Sequence, residues 1–227
     1  MREYSCFDIL GPIMIGPSSS HTAGAARLGK IAAIIAGENK FTKVEFYLHG
    51  SFAKTYKGHG TDKALVAGVL GLNPWDEMLK DSFQIAKKRE LQFEFIESNL
   101  GDEHPNTVKF VFIEENKSTV EVMGSSVGGG NIKITEIDGQ KIEFTGNYPT
   151  LIIRHKDTPG MISKVSTIIY EAGINIAFLK VYRKDRGHSA AMIFETDSVI
   201  PVGTNKRIKE LGNIESIRFI NPIIEGE

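Results

Sequence analysis

Residues 107–124 read TVKFVFIEENKSTVEVMG, two runs in which apolar side chains return at every second position, separated by the turn-prone ENKS. LQFEFIES (91–98) before them and NIKITEI (131–137) after them keep the same period of two. Successive strands of this kind, joined by short turns, argue for an antiparallel sheet rather than a doubly wound parallel one. Upstream, the period changes. AARLGKIAAIIAG (25–37) places Leu28, Ile31, Ala32 and Ile35 on one helical face and closes with Gly37 as its carboxy-terminal cap. KVEFYLHG (43–50) turns Val44, Phe46 and Leu48 inward and ends at His49 and Gly50, as a strand does. KGHGTDKALVAGVLG (57–71) reads as a glycine loop and then a short apolar helix capped by Thr61 or Asp62. NPWDEMLKDSFQIAKKR (73–89) has Asn73 as cap, Pro74 at the first helical position, acidic groups early and basic groups late. The first domain is therefore α+β.

Around GNYPT (146–150) the pattern restarts, which predicts domains at 1–146 and 147–227. The second domain runs strand (TLIIRHK), helix (MISKVSTIIYEAG), strand (INIAFLKVYRK), strand (HSAAMIFETD), helix (TNKRIKELG), strand (IESIRFINPI). That βαββαβ order is the ferredoxin-like arrangement.

A chain of 227 residues that is 41 % hydrophobic and 24 % charged can bury two modest cores. Its 27 basic and 28 acidic side chains leave a formal charge of −1, a field that recruits neither nucleic acid nor an anionic membrane. No apolar run approaches the roughly 20 residues that span a bilayer, and MREYSCFDIL lacks the features of a signal peptide, so a cytoplasmic protein is expected. The single cysteine, Cys6, excludes an internal disulfide and any cluster or zinc site built from this chain's own thiolates. None of the six histidines forms the i, i+4 pair of a helical zinc site, so no metal ligands are assigned.

GPSSSHTAG (16–24) sets Ser18, Ser19 and Ser20 before a helix whose first amides lack internal partners, and hydroxyls and N–H groups there suit a carboxylate. One serine suffices for a plain cap, so the other two and His21 are what point to an anion site. His59 sits between Gly58 and Gly60, where backbone can approach a ligand and a near-neutral imidazole can carry a proton. An exposed loop histidine is the other reading. His104 in GDEHPNT and His49 at a strand end are, taken alone, more often structural. GSSVGGG (124–130) offers either amides that cup an anion or a hairpin with unusual dihedrals.

HKDTPGM (155–161) and GINI (173–176) resemble the signatures of ACT domains, which hold a small amino acid across a subunit interface or simply pair with one another. The resemblance implies Asp157, Gly160 and Asn175 as the effector positions. FDILGPIMIGPSSSHTAG, HGSFAKTYKGHGTDKAL, DEHPNT and SVGGGNI, ahead of that ACT-like unit, resemble the beta chains of bacterial iron-sulfur-dependent L-serine dehydratases over essentially the whole length. This implies a first domain like the allosteric substrate-binding domain of some phosphoglycerate dehydrogenases, and a [4Fe-4S] cluster ligated by a partner alpha chain. It implies L-serine as substrate and self-association through the ACT domain, while the near-zero net charge leads to the expectation of no nucleic-acid or membrane partner. His59 is then the first choice of base, His21 orients the substrate carboxylate beside Ser18, Ser19, Ser20 and Thr22, and His104 is a weaker third. An amino-acid-sensing regulatory subunit and a scaffold that matures the partner's cluster are the competing classes.

Overall fold

A computed structural model describes residues 12–37, 40–183 and 186–223. In the first unit the alternating runs form β1 (Phe41–Leu48), β2 (Gln92–Glu97), β3 (Thr107–Glu114), β4 (Thr119–Gly128) and β5 (Asn131–Ile137), in the order β2-β1-β3-β4-β5. The pairs β1/β3, β3/β4 and β4/β5 are antiparallel, as the short turns require. The pair β1/β2 departs from that expectation. It is parallel, with Val44 opposite Phe93 and Phe46 opposite Phe95. The chain between the two strands is long enough for a crossover and carries three helices, α2 (Gly50–Thr55), α3 (Thr61–Val69) and α4 (Ser82–Lys88).

Helix α1 (Ala25–Ala36) precedes β1 and continues from a π-helical turn, Ser19–Gly24. Its apolar stripe, Leu28, Ile31, Ala32 and Ile35, is buried together with Val44, Phe46 and Leu48 of β1. The Phe46 ring stacks on Phe95 at 4.8 Å and meets Phe110 edge-on at 5.5 Å. Helices α1 and α3 approach closely because both present glycine. A Cβ built on Gly68 would lie 2.0 Å from the Ala26 carbonyl oxygen, and one on Gly29 would lie 2.5 Å from that of Leu65.

Two helix starts differ from the sequence reading. Neither Thr61 nor Asp62 caps α3. Gly60, in the left-handed region at φ 70°, takes the cap position without a side-chain bond, and the Thr61 N–H is already spent on the Tyr56 carbonyl at 2.9 Å. Nor does a helix begin at Asn73 and Pro74. The Asn73 N–H donates to Asp76 Oδ2 at 2.6 Å and the Asp76 N–H returns to the Asn73 carbonyl at 3.1 Å. This closed turn holds Asp76 extended, so a 3₁₀ turn (Glu77–Asp81) leads into α4 only at Ser82.

The second compact unit, Gln140–Pro222, begins upstream of GNYPT. It includes the short strand β6 (Gln140–Phe144), whose Glu143 carbonyl accepts Lys180 Nζ at 3.2 Å. Strands β7 (Thr150–Lys156), β8 (Ile176–Arg183), β9 (Ser189–Thr196) and β10 (Ile214–Ile220) lie in the order β10-β7-β9-β8, all antiparallel. With α5 (Met161–Glu171) and α6 (Val202–Lys209) this is the expected βαββαβ fold. Its core joins Leu151, Ile153, Met192 and Phe194 of the sheet to Met161, Val165 and Ile169 of α5. Strand β8 is an edge, and Phe178, Leu179 and Val181 on it are exposed. It starts at Ile176 rather than Ile174, since Gly173 ends α5 at φ 73° and the Asn175 backbone carbonyl is taken by the Asp197 N–H.

Candidate functional site

Ser18 is extended (φ −141°, ψ 125°) and begins the π-helical turn as its cap. Its Oγ accepts the His21 N–H at 3.1 Å, and its carbonyl accepts Thr22 N–H at 2.9 Å and Ala23 N–H at 3.4 Å. One serine of three therefore performs the capping, which leaves Ser19 and Ser20 half-buried in the first turn, where helix amides lack internal partners. The turn is seated on β4 at Gly24: a Cβ there would lie 2.0 Å from Ser126 Oγ. Thr22 is buried, packs against Gly16 (φ 128°) and donates from Oγ1 to the His59 carbonyl at 3.5 Å. The segment that carries the serines is thus bound to the loop that carries His59.

The two histidines meet. Their ring centroids are 5.1 Å apart. His21 Nε2 also hydrogen-bonds Ser51 Oγ at 3.2 Å, and its ring meets Phe52 edge-on at 5.3 Å. Burial, and secondarily the positive charge available to His59, hold the His21 pKa below the ordinary imidazole value. His21 is therefore neutral near pH 7, able to hydrogen-bond but not to attract a carboxylate by charge. His59 is exposed, between Gly58 and Gly60.

His104 lies on a loop braced against the same place. The Pro105 carbonyl accepts the N–H groups of Ser51 (2.7 Å) and Phe52 (3.3 Å), an approach that Gly50 permits, since a Cβ there would lie 2.6 Å from that oxygen. His104 itself is exposed, and its Nδ1 accepts the Asn106 N–H at 3.1 Å. His49 directly follows β1, with its N–H on the Thr107 carbonyl and its Nδ1 accepting the Leu100 N–H at 3.1 Å. The carboxyl end of β1 thus gathers all four histidines of the first unit. In sheets with parallel crossovers the carboxyl ends of the strands are where ligands are held. Ser51 and Phe52 escaped the sequence reading because a lone serine and phenylalanine after a strand carry no pattern. Their place directly after β1 was the available signal.

GSSVGGG resolves into a hairpin. Gly128, Gly129 and Gly130 all have positive φ, the Gly130 carbonyl accepts Arg27 Nη1 at 3.2 Å, and the Ser125 hydroxyl bonds that of Thr107 at 2.6 Å. Ser126 Oγ is buried without a hydrogen-bond partner.

In the second unit Asp157 and Gly160 line a cavity of about 440 Å³ together with His155, Arg183 and Gly187. The Asp157 carboxylate accepts the Gly187 N–H at 3.1 Å and an Arg183 N–H at 3.4 Å, and the backbone bond first, then the guanidinium, keep its pKa below the usual carboxylate value. Asn175 is not part of this cavity. It precedes the opposite end of β8, and its carboxamide donates to Asp197 at 2.6 Å. Within one chain, then, two of the three effector positions come together. Among the described residues no three His, Cys, Asp or Glu side chains are grouped to hold a metal, and Cys6 lies outside those residues. No described helix is long and apolar enough to cross a membrane.

Residues 5–82 match the profile of the serine dehydratase beta chain family, and residues 149–213 match that of the ACT domain. The chain is 42 % identical to the L-serine dehydratase beta chain of Peptoniphilus asaccharolyticus, over 97 % of this chain and 99 % of that one. It is 43 % identical to the probable L-serine dehydratase beta chain of Bacillus subtilis, with the same coverage. A D-3-phosphoglycerate dehydrogenase of Methanocaldococcus jannaschii is 29 % identical over 87 % of this chain and 37 % of its own length.

Proposed function

This chain belongs to the L-serine dehydratase beta-chain family, and from that premise we propose that it supplies the proton-transfer and carboxylate-binding side of a site converting L-serine to pyruvate and ammonia. The observation that supports this most is the His21–His59 pair, 5.1 Å apart beside a helix start with two serines spare.

The substrate carboxylate is held at the helix start by the Ser19 and Ser20 hydroxyls and the first-turn N–H groups, with buried Thr22 tying that turn to the His59 loop. His59 then takes the weakly acidic α-proton. A positioned general base contributes roughly 10²- to 10⁴-fold to such a step. His21 assists by being neutral: when His59 gains its proton, no like charge stands 5.1 Å away to oppose it. An uncharged His21 ring orients the substrate carboxylate through a hydrogen bond rather than an ion pair. Loss of the hydroxyl group leaves aminoacrylate, which becomes pyruvate and ammonia in water.

A [4Fe-4S] cluster needs several thiolates, whereas this chain has one cysteine and the described residues present no alternative ligand group. The cluster does not fit this chain and is assigned to the alpha chain.

The ACT domain is proposed to bind a small amino acid at the Asp157 cavity, completed by Asn175 of a second copy, and to pair through the exposed face of β8. That cavity is what favours the second reading, an amino-acid-sensing regulatory subunit without a part in the chemistry. Sensing alone gives the histidine pair no task. In complex with the alpha chain, His59→Ala is expected to cut turnover about a hundredfold or more while leaving assembly intact. Near-normal turnover removes His59 from the role and leaves the sensing reading.

A further inference from the structure

Two of the histidines at the end of β1 differ from the other pair in what their rings are able to do. His49 Nδ1 receives the backbone N–H of Leu100, and His104 Nδ1 receives that of Asn106, each at 3.1 Å. A backbone N–H can only donate, so both Nδ1 atoms carry lone pairs and each neutral ring carries its proton on Nε2. His155 shows the contrast. Its Nδ1 faces the Lys156 carbonyl at 2.8 Å, which fixes the opposite tautomer. A ring held as Nε2–H cannot accept a proton at Nε2, and accepting one at Nδ1 costs the bond to the backbone. Neither His49 nor His104 is thus built to be a base.

Both are braced against the residues that meet His21. His49 immediately precedes Gly50 and Ser51, and His104 immediately precedes Pro105, whose carbonyl anchors the Ser51 and Phe52 amides. We propose that His49 and His104 bind the amino-acid substrate as neutral Nε2–H donors to its carboxylate oxygens, leaving proton transfer to the His21–His59 pair. A carboxylate offers about four acceptor positions on its two oxygens, more than one helix start fills. This deepens, and rests on, the reading of that edge as a serine site. It adds His49, which sequence alone marked as structural, and it takes His104 out of the list of proton carriers.

The test is two-bond ¹H–¹⁵N correlation spectroscopy of the chain with ¹⁵N-labelled histidine, in complex with the alpha chain, during a titration with L-serine. The expected result is Nε2–H tautomers for His49 and His104, both Nε2–H signals shifting as serine is added. An Nδ1–H tautomer, or no shift on saturation, overturns the proposal. Kinetics supply the second arm. His49→Asn and His104→Asn keep an acceptor where Nδ1 stood but lack the Nε2–H. Each is expected to raise KM for serine about tenfold to a hundredfold, the worth of a hydrogen bond to a charged group, while the shape of the pH profile is retained. A hundredfold fall in kcat with loss of one limb of the pH profile identifies a proton carrier and overturns it. If the wild-type complex leaves serine unconverted, the dehydratase reading fails by itself, and the tautomers and the serine shifts still decide the donor assignment.

Discussion

Gly68→Ala probes whether the contact between α1 and α3 positions the site. The added Cβ would lie 2.0 Å from the Ala26 carbonyl oxygen and 2.8 Å from the Lys30 nitrogen, both backbone atoms of the facing helix that no side-chain rotation can clear. Overpacking of this kind costs typically 1–3 kcal/mol, and a rigid backbone obstacle belongs at about 3 kcal/mol, the upper end. Replacing glycine by alanine inside a helix returns about 1 kcal/mol, leaving a net loss of about 2 kcal/mol, or about 4–8 °C in Tm for a chain of this size. Gly203→Ala is the control. It lies in α6, has no positive φ and has nothing within 4 Å of the added Cβ, so the helix gain stands alone and stability rises. Because α1 follows the Ser18–Thr22 turn and α3 follows His59, forcing the two helices apart also separates His21 from His59, and turnover in the complex falls with stability. Thermal unfolding by circular dichroism gives the answer. If Gly68→Ala melts at or above the wild type while Gly203→Ala gains, the close crossing is not as described.

Three further outcomes follow from the half-buried His21 and the buried Ser126. The folded chain holds the His21 pKa below its ordinary value of 6.5, so the unfolded chain binds the proton first as pH drops. Stability is therefore full above about pH 6.5 and declines as pH falls toward the folded-state value. Urea midpoints measured across that window should flatten in His21→Gln relative to wild type, and an NMR titration of His59→Ala should show the His21 pKa move up once the neighbouring charge is gone; an unmoved pKa contradicts the pairing. Ser126→Ala removes a buried hydroxyl without a partner beneath Gly24. It is expected to be neutral or to stabilise by up to about 1 kcal/mol, and a loss above about 1 kcal/mol in urea unfolding shows that the hydroxyl is bonded.

The parts of the fold legible in the sequence were those set by a single period. Val44, Phe46 and Leu48, like Leu28, Ile31 and Ile35, are buried as their spacing requires. The βαββαβ order of the second unit emerged for the same reason, since each element carries its own pattern. Strand direction was not legible for β1 and β2, because an alternating strand looks alike whether its neighbour runs with it or against it. That depends on the crossover through α2, α3 and α4. Helix starts failed where side chains had competing bonds, as at Asn73, whose turn with Asp76 displaces the cap. At the site, composition pointed to the serines and His59, and the structure brings Ser18, His21, Thr22 and His59 into contact or one bond apart. The share of Ser51 and His49 depends on the Pro105 and Leu100 loop folding back over β1, a long-range event that no local spacing announces.

The central claim is that this chain brings proton-handling and carboxylate-holding groups to iron that another chain ligates. Anaerobic assembly with a cysteine-rich alpha chain, followed by measurement of pyruvate from L-serine with each chain alone and with both, tests it most directly. The account predicts pyruvate only from the two together, with iron and sulfide tracking the alpha chain. Deamination of serine by this chain unaided, or a metal or pyridoxal found bound to it, contradicts it.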